Sequence, residues 1–345
     1  MRIGLIDVDG HNFPNLPLMK LSAWHKSQGD SVEWYEPMIH EFEEPLDRVY
    51  MSKVFSDEYS PDYPYHVNAK EVIKGGSGYC ISLVNGIEEF DKSKHFDLPY
   101  EIEHIYPDYS IYYEKIPEIQ NTAYGFLTRG CQCDCNFCHV SQKEGKCSEK
   151  VADLSEFWKG QKNIVLLDPN ITGCRQCEQL FQQLIDSRAN IDFSQGLRIH
   201  MMNEKRAEML RKMKIKNIHF AWDRYEDKNI VVPKFEMVKN ITQFDKRKLT
   251  VYVLTNFDTT HEKDLERIYI LRDLGYWPYV MIYNKDDFVL KDKNGKPIRM
   301  KPVEELLKKY TIEQIQHFRV CWSIQRWVNM RAVFENVSRF EDYKK

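Results

Sequence analysis

Apolar residues first appear as the short run Arg2-Ile-Gly-Leu-Ile-Asp-Val8, which predicts a strand. Residues 17–28 carry apolar positions at three- and four-residue spacing and predict an amphipathic helix. Further strands are expected at 31–35, at 47–54 and at 71–73, the last just before Gly75-Gly76. Strands that alternate with helices in this way predict a parallel sheet wound with helices on both faces. Residues 100–120, rich in Tyr, Pro and Ile, read as a connector. A second series follows, with strands at 123–128, 163–167, 191–194, 217–222, 249–254 and 279–283 and amphipathic stretches between them at 177–187, 204–213 and 262–274. Six such βα units suit a partial (β/α)6 barrel, in which reactive residues belong on loops beyond the C-terminal strand ends. From 285 the pattern changes. Residues 289–298 read as a hairpin with an Asn294-Gly295 turn, and helix-like stretches carrying Trp322, Arg326 and Trp327 follow. The expected division is therefore 1–118, 119–284 and 285–345, the last forming a helical cap.

Composition narrows this picture without redirecting it. A chain of 345 residues with 42% hydrophobic and 13% aromatic residues has ample material for well-formed cores. No apolar run approaches the roughly 18 residues that span a membrane. The N-terminus turns acidic by Asp7 and reads as a strand, not a signal peptide. The expected address is cytoplasmic, with no membrane partner. Lys plus Arg number 49 against 52 Asp plus Glu, a net charge of −3, so a nucleic-acid partner is not expected. The nine cysteines, at 80, 131, 133, 135, 138, 147, 174, 177 and 321, concentrate between 131 and 177. In a reducing compartment such clustering favours metal or catalytic roles over disulfides.

The sharpest chemistry lies in Cys131-Gln-Cys-Asp-Cys135-Asn-Phe-Cys138. Cys131, Cys135 and Cys138 have the spacing C-x3-C-x2-C. Three thiolates can hold three irons of a cubane 4Fe–4S cluster and leave the fourth open to a small molecule, whereas a fully ligated electron-transfer cluster takes four cysteines. This stretch resembles the C-x3-C-x-aromatic-C signature of the radical S-adenosylmethionine (radical SAM) superfamily, with Phe137 at the aromatic position. The resemblance implies that Cys131, Cys135 and Cys138 ligate a 4Fe–4S cluster that cleaves S-adenosylmethionine reductively to methionine and a 5′-deoxyadenosyl radical. It also implies an electron donor such as flavodoxin or ferredoxin and an unspecified substrate, with Phe137 packed beside the cluster and adenine. Members of the superfamily often hold the methionine amino group with a Gly-Gly-Glu-like segment after the second strand. Here Leu167-Asp168-Pro169-Asn170 stands in that place, with Asp168 and Asn170 as acceptors for an ammonium. Arg198 suits the methionine carboxylate, because a planar guanidinium binds bidentately. Gln195 and Asn256 are candidates for ribose hydroxyls. No catalytic residue is assigned beyond the cluster.

A second resemblance covers the N-terminal part. Asp9-Gly-His11-Asn-Phe-Pro14, then Ser52-Lys-Val54, then Gly75-Gly76 are similar in order to the D-x-H-x-x-G, S-x-L and Gly-Gly motifs of cobalamin-binding domains. Pro14 and Val54 depart from that pattern. The resemblance implies that His11 offers a ring nitrogen to cobalt, that Asp9 holds its other nitrogen, and that Ser52, Gly75 and Gly76 border a buried nucleotide tail. The implied fold class is α/β: an N-terminal doubly wound, Rossmann-like parallel sheet, a radical SAM partial barrel and a C-terminal helical cap.

Other readings stay open at this point. Cys135-x2-Cys138 and Cys174-x2-Cys177 form two C-x2-C pairs of the kind that bind structural zinc, though 35 residues separate them. The alternative function is thus a non-catalytic redox or structural protein that binds zinc or an iron–sulfur cluster. Cys147, Cys174 and Cys177 are candidates for an auxiliary cluster or are ordinary thiols. A tRNA-modifying methylthiotransferase would want a basic module that the modestly basic tail at 285–301 does not provide.

Overall fold

The computed structural model describes residues 1–10, 12–57, 59–84, 87–292 and 295–343. The chain divides into two compact units, Met1–Asp192 and Phe193–Lys345.

The first unit opens with β1 (Arg2–Asp7), α1 (Leu16–Ser27), β2 (Ser31–Trp34), β3 (Arg48–Ser52) and β4 (Val72–Gly75). These strands make a four-stranded sheet in the order β2-β1-β3-β4. Every pairing is parallel, with Leu5 opposite Trp34 and Tyr50, and Ser52 opposite Gly75. Because strand side chains alternate, Ile3 and Leu5 meet Leu18 and Leu21 of α1 on one face, while Ile6, Val49 and Met51 pack with Tyr35 and Leu46 on the other. Burial on both faces is why β1 reads as a nearly continuous apolar run. Helix α1 starts at Asn15, whose side chain accepts from the Leu18 N–H at 3.3 Å, with Pro17 in the first turn. Ile81–Val84 and Ile87–Phe90 form an antiparallel ribbon that the hydrophobic pattern had not signalled.

The second βα series supplies β5 (Thr122–Gly125), β6 (Asn163–Leu166), α2 (Cys177–Ser187), β7 (Asn190–Leu197), α3 (Glu204–Lys212), β8 (Lys214–Ala221), α4 (Lys228–Thr242), β9 (Leu249–Thr255), α5 (His261–Asp273) and β10 (Trp277–Ile282). These strands form a six-stranded sheet in which each lies beside its sequence neighbour, in the order β10-β9-β8-β7-β6-β5. The pairings β5–β6, β8–β9 and β9–β10 are parallel. The division between the two units falls within β7.

In the second unit the tail forms the expected ribbon, Val289–Lys291 against Pro297–Met300, although Asn294 of its foreseen turn lies outside the described residues. Helix α6 (Ile312–Asn329) follows, started by a reciprocal Thr311–Gln314 capping box. It buries Ile324, Trp327 and Val328 against Ile268, Trp277 and Val280. Its polar residues finish the job: Asn329 accepts from the Val280 N–H at 2.8 Å and donates to the Val280 carbonyl at 3.0 Å, which Gln325 also reaches at 2.9 Å. An edge strand would otherwise present these groups unpaired. Asn329 is thus bonded to strand backbone. No described helix is long and apolar enough to cross a membrane.

Candidate functional site

The cysteine motif occupies a loop that the chain closes on itself. Thr128–Arg129 pairs antiparallel with Glu149–Lys150, so residues 130–148 bulge out between the two arms of a two-residue ribbon. The expectation that the strand at 123–128 runs straight into the loop is therefore modified, since β5 ends at Gly125 and the ribbon intervenes. The Cys131 N–H donates to the Gly145 carbonyl at 3.0 Å and the Cys138 N–H to the Cys135 carbonyl at 3.0 Å. Gly130 has φ +82°, and a Cβ there would lie 2.1 Å from the Cys147 carbonyl oxygen. Only glycine allows the two arms to approach so closely.

The segment after β6 grips the base of this loop. Asp168 is 3% exposed, and its carboxylate accepts from the Leu127 N–H at 3.1 Å and from both the N–H and the hydroxyl of Thr128. Burial pushes its carboxyl up to about 6, while those donors pull the other way. Two residues on, Asn170 donates from Nδ2 to the Cys131 sulfur at 3.4 Å and to Gln132 Oε1 at 3.2 Å, and approaches the Cys133 sulfur at 4.0 Å. Its Oδ1 accepts from the Thr172 hydroxyl at 3.0 Å. The structure thus gives Asp168 and Asn170, expected beside an ammonium, partners at the base of the cysteine loop and within it, respectively. No periodicity could have foretold those contacts. Ser141 and Lys146 hold the exposed Asp134 carboxyl below its usual range, Lys146 having the larger effect.

The donor set suits an iron–sulfur group. Cys131, Cys135 and Cys138 are each half-buried, and Asn170 offers an amide N–H to one of them. Phe137 is half-buried in the same loop. Cys174 and Cys177 are buried, with the Cys174 thiol donating to Gln176 at 3.2 Å, while Cys147 is exposed.

A prediction follows for Asp168. A raised folded-state pKa means that its stabilising contribution is full below about 3.8 and fades as pH rises through about 6. Two units correspond to roughly 3 kcal/mol as an order of magnitude. Asp168→Asn should flatten the pH dependence of urea unfolding between about pH 4.5 and 7. It should also cost about 1–3 kcal/mol at pH 5, because its NH2 would face an N–H donor. An unchanged pH profile would refute this.

The N-terminal candidates gather at one end of the four-stranded sheet. Its strand order reverses between β1 and β3, and in open α/β sheets ligands bind outside the carboxyl ends of strands at such a reversal. Asp9 follows β1, and its carboxylate accepts from the Val54 N–H at 2.5 Å and the Phe55 N–H at 3.4 Å, just past β3. His11, its expected partner, lies outside the described residues. The Ser52 hydroxyl, at the end of β3, is buried and has no hydrogen-bond partner among the described residues. Gly75 faces open space, whereas Gly76, at φ +94°, lies so close to Lys53 that a Cβ would sit 2.2 Å from its carbonyl oxygen. Phe13, Val54 and Phe55 leave apolar surface exposed on these loops. An orphaned hydroxyl, an open glycine and bare apolar side chains at a switch point fit a cofactor with a nucleotide-like tail.

In the second unit Gln195 is exposed and Arg198 half-buried, on either side of Gly196 at φ +108°. Asn256 follows β9 at φ +61° and donates from Nδ2 to the Tyr283 carbonyl at 3.0 Å. Burial pushes the nearby Asp223 carboxyl up to about 6, opposed by the charge of Arg267.

No protein-family model and no curated protein matches this chain. Among solved structures, the radical S-adenosylmethionine methyltransferase TsrM from Kitasatospora setae, with cobalamin and a [4Fe-4S] cluster bound, is similar over 92% of this chain and 84% of its own. The TM-score is 0.55 and the sequence identity 11%. At that identity the likeness is one of fold. The chain shares the α/β fold of that structure.

Proposed function

We propose that this chain is a radical SAM enzyme, with a 4Fe–4S cluster on Cys131, Cys135 and Cys138 and with cobalamin as a second cofactor on residues 1–118. The observation that carries the reading is the C-x3-C-x2-C loop, closed at its base by a ribbon and bonded through Asn170 to the Cys131 sulfur. It stands on a fold shared with a cobalamin-bearing radical SAM methyltransferase. When bound, the cluster supplies the electron that splits S-adenosylmethionine into methionine and a 5′-deoxyadenosyl radical, and cobalamin supplies a methyl carrier.

The residues of the chain orient these groups. Asn170 fixes the Cys131 side chain and draws charge from its sulfur through the N–H···S bond, a contact of the kind that tunes cluster potential. Asp168 keeps Leu127 and Thr128 in place, and with them the start of the loop. Phe137 is assigned to the adenine, Arg198 to the methionine carboxylate, and Gln195 and Asn256 to the ribose. Ser52 and Gly75 would border the proposed nucleotide tail, Gly76 would hold the adjacent loop, and His11, supported by Asp9, would offer a ring nitrogen to cobalt. Methyl transfer to carbon is the reaction class we favour over plain hydrogen abstraction, because the switch-point site fits a second cofactor.

Anaerobically purified protein, reduced in the presence of S-adenosylmethionine, should release 5′-deoxyadenosine or transfer its methyl group. A protein that holds iron and does neither would be the non-catalytic alternative. Equilibrium binding of hydroxocobalamin tests the second site. Ser52→Ala should weaken binding about tenfold while stabilising the cofactor-free protein by up to roughly 1 kcal/mol, since it removes an unsatisfied buried hydroxyl. No binding by wild type removes cobalamin from the proposal, and equal binding by wild type and His11→Ala removes only the histidine.

A further inference from the structure

We propose that His261, His317 and Cys321 bind one zinc-class transition-metal ion, tying the start of α5 to α6. The three side chains each offer one ligand atom, and these atoms lie within 4.8 Å of one another. His317 and Cys321 are four residues apart on α6, which puts them on one helix face. His261 is the first residue of α5, just past the capping Thr260, whose side chain accepts from the Lys263 N–H. A helix face and a helix start from separate parts of the chain thus bring two imidazoles and a thiol close together.

The sulfur–nitrogen distance suits a tetrahedral ion after a small contraction. Cys321 Sγ stands 3.9 Å from His261 Nδ1. Zinc–sulfur and zinc–nitrogen bonds of about 2.3 and 2.05 Å at tetrahedral angles require about 3.6 Å between those atoms. The rings of His261 and His317 are stacked, with centroids 4.1 Å apart and planes 16° from parallel. An ion must lie in the plane of each imidazole it binds, so one ring has to tilt out of the stack on loading. Both histidines are only half-buried, which leaves room for that movement and for a water in the fourth position.

Each residue has a plainer role, and those roles do not explain the convergence. Cys321 is fully buried and packs with Ile282, Phe288 and Ile315, as many core cysteines do. A stacked histidine pair is ordinary on a surface. Close by, however, the buried Asp264 has one carboxylate oxygen, Oδ2, without a partner among the described residues. That oxygen adds negative potential favourable to a cation, offset in part by Arg267. Two nitrogens and one sulfur select a borderline-soft ion over calcium or magnesium, which take oxygen ligands. The site uses none of the cysteines between 131 and 177 and stands or falls independently of the cluster.

The test is zinc titration of the cluster-loaded protein against a chromophoric chelator, with zinc-edge X-ray absorption on the loaded sample. Wild type should bind zinc through a shell of one sulfur and the rest nitrogen or oxygen. His317→Gln, which alters only a half-buried side chain on α6, should raise the dissociation constant at least about 100-fold. Cys321→Ser should remove the sulfur from the shell, with circular dichroism to check that it folds. Absence of zinc binding by wild type, undiminished binding by His317→Gln, or a shell of several sulfurs would overturn the proposal.

Discussion

Cys131→Ala, Cys135→Ala and Cys138→Ala should each lose most of their iron and fall below about 1% of wild-type 5′-deoxyadenosine formation, since two thiolates cannot hold a cubane built for three. Cys133→Ala should keep its cluster and at least about half of that activity. The contrast is demanding because Asn170 touches the Cys131 sulfur at 3.4 Å and approaches that of Cys133 at 4.0 Å. A loop shifted by two residues would exchange their roles. Iron analysis, the brown thiolate-to-iron absorbance and product chromatography give three readouts on the same samples. Retained cleavage in any of the first three variants, or loss in Cys133→Ala, would mean that the ligand set is misassigned.

Arg267→Met is expected to be the most destabilising single change in the second unit, at about 3–5 kcal/mol in urea unfolding. Arg267 and Asp264 are both fully buried and paired. One guanidinium nitrogen donates to the carbonyls of Trp222 and Asp223, at 2.7 and 2.6 Å. The other donates to the Leu254 carbonyl at 2.8 Å and to Asp264 at 2.5 Å. One side chain therefore satisfies the backbone where β8 and β9 end, and methionine would leave a buried carboxylate without its cationic partner, with the Thr259 hydroxyl still donating to it, and would take a donor from each of three carbonyls. Lys263→Ala, which breaks an ion pair with Glu226 between exposed side chains, should change stability by no more than about 0.5 kcal/mol. A loss under 1 kcal/mol for Arg267→Met would show that water replaces the guanidinium and that the strand ends do not depend on it.

The strands of both sheets were legible because buried parallel strands leave apolar runs that loops interrupt. β9 was expected at 249–254 and spans Leu249–Thr255; helix α2 was expected at 177–187 and spans Cys177–Ser187. The cysteine spacing was legible for another reason: ligands on one short loop are neighbours in sequence as well as in space. What escaped was structure without a period or made by distant residues. A two-residue ribbon such as Thr128–Arg129 with Glu149–Lys150 is too short to alternate. Asp264 and Arg267, three apart on a helix, look in sequence like a solvated surface pair, and nothing local reveals that both are buried. Asp168 carried the opposite trap, since a polar residue at a strand end suggests a ligand contact and the structure turns it toward backbone donors.

The collar beneath the cysteine loop has a bearing on how the protein is made. Its ribbon, its glycine crossing and the grip of Asp168 and Asn170 are all protein-to-protein bonds. A newly synthesised chain can assemble that collar by itself, so the proposed inorganic cargo would arrive at a cradle already shaped. On the proposed reading, maturation would become a question of delivery, limited by how fast iron and sulfide are handed over and not by refolding around them.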